Sequence, residues 1–102
     1  MSVDGYVIRR PDGTITVTPA ALQRLVVAAA ESVDGARVRR PRRGLELTIG
    51  GSCAEVSIEL AAREGTVLPE LARAVQERVA DALHTACGLD VARVDVAVEE
   101  VE

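Results

Sequence analysis

The sequence predicts an α+β fold: a two-layer sandwich with two helices packed on one face of a mostly antiparallel mixed β-sheet. Three observations carry that expectation. Between Leu45 and Leu60, and again between Val91 and Val98, apolar and polar residues alternate with period two, as in strands with one buried face. Two further stretches carry apolar residues at helical spacing, each opened by a threonine and closed by a glycine. The polar face of the strands is charged and resists burial, so both helices must share the aliphatic face.

Taken in order, Tyr6 to Ile8 and Thr14 to Val17 are short β-prone runs around the turn signal Pro11-Asp12-Gly13, which predicts an N-terminal hairpin. Thr18 followed by Pro19 starts a helix, because the hydroxyl caps a free N–H where proline needs none. Leu22, Leu25, Val26, Ala29 and Val33 then recur on one face, and Gly35 supplies the stop. A short strand is expected from Ala36 to Arg40, ahead of a basic turn. Leu45, Leu47 and Ile49, then Val56, Ile58 and Leu60, form the two arms of a hairpin joined by Gly50-Gly51-Ser52. Thr66 is the expected cap of a second helix, with Pro69 in its first turn and Leu68, Leu71, Val75, Val79, Leu83 and Ala86 as its stripe. Gly88 ends it, and His84 faces the negative end of its dipole. In the last strand Val94, Val96 and Val98 alternate with Arg93, Asp95, Ala97 and Glu99. If the strands flanking the second helix run parallel, that crossover is right-handed.

With 102 residues, roughly half of them apolar, residues 1–102 make one domain able to bury a core of its own. Sixteen Ala and sixteen Val, with one Tyr and no Phe or Trp, make that core aliphatic and remove stacking groups from any binding surface. The N-terminus has no apolar leader segment and no apolar run approaches the ~20 residues of a membrane span, so a cytoplasmic location is expected. Cys53 and Cys87 are then expected as reduced thiols, filling the core as small hydrophobes. With two Cys and one His, no metal site is expected.

The order of these pieces resembles the alkaline shock protein family, the general or envelope stress response proteins, over nearly the whole chain. The matching residues are Gly13-Thr14-Ile15-Thr16-Val17 before the first helix and Val33-Asp34-Gly35 after it. The long strand Val56-Ser57-Ile58-Glu59-Leu60 follows, then Leu71, Ala72, Val75-Gln76 and Val79 in the second helix. Gly88-Leu89-Asp90-Val91 and Val94-Asp95-Val96-Ala97-Val98 close the pattern. The sequence departs from it at Asp95, where Asn is frequent, at Ala36, where valine is usual, and in the basic turn. The resemblance implies a protein that is not an enzyme, is tied to envelope stress, and in some relatives is held near the cytoplasmic membrane by a separate membrane-anchored partner; no cofactor is expected.

Arg37, Arg39, Arg40, Arg42 and Arg43 place five of the twelve arginines within seven residues. Such a turn can pair with phosphate, which makes a small nucleic-acid-binding or anionic-surface-binding module the alternative reading. The net charge of −4 and the acidic strand face, free of aromatic platforms, disfavour nucleic acid. Glu77, Asp81, His84 and Cys87 could be read as a metal or nucleophile cluster, but a solvent-facing helix ordinarily carries such residues and nothing completes a coordination sphere or a triad. No catalytic, cofactor-binding or metal-ligating residue is therefore assigned. The candidate interaction residues are the five arginines together with Asp95, Glu99 and Glu100, which suit self-association or a protein partner through complementary charge.

Overall fold

The computed structural model describes residues 6–39 and 45–102. The elements are β1 (Tyr6–Arg10), β2 (Gly13–Val17), α1 (Pro19–Glu31), β3 (Ala36–Val38), β4 (Leu45–Gly50), β5 (Cys53–Ala62), α2 (Leu68–Cys87) and β6 (Asp90–Val101). β1 and β2 pair as a separate two-stranded hairpin in which Tyr6 faces Val17 and Ile8 faces Ile15. In the main sheet β5 is central. β4 and β3 share one side of it, antiparallel, against Cys53–Ile58 and Leu60–Ala62 respectively. β6 runs parallel along the other side. A parallel neighbour needs a crossover, and α2 supplies it.

Period two along β5 decides the layering. Ala54, Val56, Ile58 and Leu60 are buried, while Cys53, Glu55 and Ser57 point to solvent. α1 meets the buried face with Leu22, Val26 and Ala30, and α2 with Leu71, Val75, Val79, Leu83 and Cys87. Each row advances by four residues, so both helices present a narrow apolar ridge that lets them pack on each other and on the sheet. The expected α+β sandwich, with both helices on one face of a mixed sheet, is the observed one.

Thr18 caps α1, its Oγ1 accepting from the Ala21 N–H at 3.2 Å. At the far end Arg78 of α2 donates to Ser32 Oγ at 2.8 Å and ties the two helices together. Asp34 and Arg63 form a forked pair with distances of 3.2 and 2.7 Å. The hydrogen bond from Arg63, and then its charge, hold the Asp34 carboxyl below its usual range. Whatever stability this exposed pair contributes is present above the ordinary carboxylate pKa and is lost as pH falls through the lowered value.

Several local expectations are corrected. Thr66 does not cap α2, which starts after Val67 without a side-chain cap. Pro69 occupies the first turn, where its missing N–H is one orphan donor fewer to satisfy. Thr66 instead packs by Gly35, whose φ is +91° and where an added Cβ would lie 3.1 Å from Thr66 Oγ1. Leu68 and Ala86 are exposed, and Cys87 takes the last place in the stripe because the row 71, 75, 79, 83 continues to 87. Cys53 is exposed, since it falls on the solvent side of β5. β6 is longer than Val91 to Val98, and Val96 is half-buried because its strand lies at the sheet margin.

Candidate assembly surface

The feature that sets this molecule's surface apart is the outer side of β6. β6 pairs with β5 through its whole length, and among the described residues no strand pairs with its other side. The Asp90 N–H donates to Ser52 O at 2.9 Å and the Glu102 N–H to Ala62 O at 2.8 Å, so both ends are fastened to the β5 lane. The Val94 carbonyl points away from β5, because Gln76 Nε2 of α2 donates to it at 3.0 Å. Register shifts interrupt the β5–β6 ladder only before Arg93 and after Val98. Alternate residues between those shifts share a direction, so Val94, Val96 and Val98 turn their backbone N–H and C=O groups outward.

Val91, Val94, Val96 and Val98 of β6 point toward the helical layer yet stay half-buried, because among the described residues no further strand lies beyond them. Between β6 and α2 this leaves an open groove lined by Gln76, Ala80, Val91 and Val94 among others. The opposite margin of the sheet is divided between β3 and β4, and a helix side chain meets its edge too. There Glu31 of α1 accepts the outward Val38 N–H of β3 at 3.0 Å, the counterpart of Gln76 at Val94.

On the uncovered face, Arg93 bridges two carboxylates, with Nη2 3.6 Å from Glu55 Oε1 and Nε 3.1 Å from Asp95 Oδ2. Glu46, Thr48, Val56 and Ser57 complete the lining of the shallow depression around them. The open face is thus acidic and internally cross-linked by one arginine.

The candidate residues read from the sequence fall as follows. Asp95 sits on this face, and Glu99 and Glu100 lie exposed toward the end of β6, at the second register shift. Arg37 pairs with Glu102, reaching across β5 to the acidic end of the same chain. The half-buried Arg39 extends the β3 pairing through its N–H to Glu59 O at 2.9 Å. Arg40, Arg42 and Arg43 lie outside the described residues. Among the described residues the structure therefore joins the basic and acidic segments at Arg37 and Glu102. Sequence reasoning missed the two side chains that meet the sheet margins, Glu31 and Gln76. Gln76 was legible only as half of the Val75-Gln76 pair.

The His84, Asp81 and Glu77 group stays at the surface, with His84 Nδ1 3.8 Å from Asp90 Oδ1. Burial pushes the Cys87 thiol up, away from the reactive thiolate. Cys53 should therefore be alkylated first, with Cys87 at least about tenfold slower in the native protein. Mass spectrometry of a timed alkylation reads the order directly, and equal rates would mean that α2 is not packed as described.

The sequence matches a family model over residues 36–102, about two thirds of the chain: the alkaline shock protein 23 family, of cell envelope-related function. The chain belongs to the alkaline shock protein family. This bears out the resemblance read from the sequence, although the matched region begins at β3, leaving the hairpin and α1 outside it. All of the assembly surface on β6 lies within the matched region. Among solved structures the chain is similar to the MamM CTD. A copper form has a TM-score of 0.56 and 23% identity, covering 81% of this chain and 98% of that one. A cadmium form gives 0.56 and 24%, covering 81% and 96%. At this identity the likeness is one of fold. No curated protein matches the chain. No helix among the described residues is long and apolar enough to cross a membrane.

Proposed function

We propose that this chain is a non-enzymatic envelope stress response protein that works by protein–protein assembly, in the cytoplasm and near the membrane through a membrane-anchored partner. The observation that carries the reading is β6, a twelve-residue strand at the sheet margin with outward backbone groups and half-covered valines. Such an edge is a template for strand addition, and the charges beside it set partner choice and register more than affinity. Membership of a family with a cell envelope-related function supports the setting. The nucleic-acid or anionic-surface alternative has less support, because Arg37 is engaged by Glu102 and the open face is acidic.

The test is capture of the chain at native expression from fractionated cells, followed by mass spectrometry. A stoichiometric membrane-anchored protein is expected, with the chain leaving the membrane fraction when that protein's gene is deleted. A chain that distributes identically with and without any captured partner, and whose deletion leaves survival of envelope stress unchanged, overturns the proposal.

A further inference from the structure

We infer that the occupant of the β6 edge is a second copy of this chain, joined antiparallel about a twofold axis at Val96, so that the two sheets become one. The inference rests on the assembly reading above and names the partner and the register.

The regular stretch of β6 between its two register shifts, Arg93 to Val98, holds three valines and no proline, and its two charges, Arg93 and Asp95, are paired with each other on the open face. Monomeric proteins usually blunt such an edge with charge, proline or a covering element. Here the shifts lie at the two ends of the stretch and leave its middle regular. An axis at Val96 sets Val96 opposite its own copy and Val94 opposite Val98 of the second copy. These are the residues whose backbone groups face outward, so each such pair can exchange both hydrogen bonds. The Val94 carbonyl has two lone pairs, so Gln76 need not leave it.

Charge selects this register. With the axis at Val96, Arg93 of each copy comes beside Glu99, at the second register shift of the other, and Asp95 lies opposite the uncharged Ala97. Moving the axis to Asp95 sets two Asp95 carboxylates against each other, and moving it to Ala97 sets Asp95 against Glu99. An axis at Val94 brings Arg93 to Asp95 but leaves the strand beyond Val98 without a partner. Of these, the Val96 axis pairs the regular stretch from Val94 to Val98 with no like charges opposite each other and brings Arg93 to Glu99. The contact is isologous, and a self-complementary patch closes as a dimer. It also covers the valines that a single copy leaves half-exposed.

Sedimentation of the full chain across its accessible concentration range tests the contact. The wild-type chain should dimerise. Arg93→Glu and Glu99→Arg should each weaken the dimer by about tenfold or more, because each sets like charges opposite at two symmetry-related places. The combined variant should recover to within about threefold of wild type. Within one copy these positions are six residues apart, about 20 Å along a strand, so recovery reports a contact between copies. Hydrogen exchange on the unmutated chain is the second measurement: the Val96 and Val98 amides, directed outward, should gain protection as the dimer forms. A monomer at every concentration, a dimer indifferent to both charge reversals, failure of the combined variant to recover, or no gain in Val96 protection would each overturn the inference. A monomer that still captures its envelope partner overturns this contact alone. A dimer without any such partner removes the proposed function and keeps the contact.

Discussion

Ile58→Ala should lower the unfolding free energy by about 3–4 kcal/mol, while its neighbour Ser57→Ala should change it by less than about 0.5 kcal/mol. The contrast follows from position on the central strand. Ile58 is 1% exposed, lies between Leu45 of β4 and Val96 of β6, and faces both helices. Removing its side chain leaves a cavity in the middle of the core, and the close-packed aliphatic side chains around it can relax into that space only in part. Ser57 lies between Glu46 and Asp95 on the uncovered face, where truncation leaves water in place of a hydroxyl. Val96→Ala should fall between the two, at about 1–2 kcal/mol, because Val96 is already partly in solvent. Urea denaturation with a common slope separates the three, and coincident midpoints for Ile58→Ala and Ser57→Ala would refute the assignment of faces.

What the chain reveals of its fold before folding depends on the range of each interaction. The strand faces were legible because alternation along β5 is local and strict: a charged Glu55 or Glu59 beside Val56 or Leu60 can point only one way. The stripe of α2 was legible in its middle and wrong at its ends. Leu68 and Ala86 obey helical spacing, but whether the first and last turns touch the sheet depends on how long the sheet is. Cys53 has the composition of a core residue and the parity of a solvent-facing one, and parity prevailed.

The assembly surface was legible only as composition. The acidic character of the final strand was plain, but its place at the margin depends on strand order, which no local pattern encodes. The crossover through α2 places β6 beside β5, and β5 already holds β3 and β4 on its other side. That arrangement leaves β6 with one lane of partners. The ion pair between Arg37 and Glu102 was invisible for the same reason, since 65 residues separate them and β5 lies between. The contact of Gln76 with the Val94 carbonyl belongs to the same class: a helix side chain finds a strand edge only once both are placed.

Leu89→Ala should cost about 3 kcal/mol, more than Gly88→Ala at the neighbouring position. At the end of α2 the chain must stop a helix and enter a parallel strand within three residues. Gly88 makes the stop, with φ +69° and its N–H bonded to His84 O at 2.9 Å, and Leu89 follows with its N–H on Leu83 O at 3.3 Å. These paired bonds satisfy carbonyls that the last helical turn would otherwise leave open. Leu89 is also fully buried, so the residue that completes the helix stop anchors it in the core. One residue later the Asp90 N–H meets Ser52 O, and β6 is in register with β5. An added Cβ at Gly88 would meet nothing within 4 Å. Gly88→Ala should therefore cost only the left-handed backbone penalty, about 1–2 kcal/mol. If the turn served mainly to end the helix, Gly88→Ala would be the more damaging change. If it serves mainly to seat β6, Leu89→Ala is, and it should also raise hydrogen exchange along Asp90 to Val94 before the rest of the sheet. Denaturation of the two variants, with exchange measured on the second, distinguishes these outcomes.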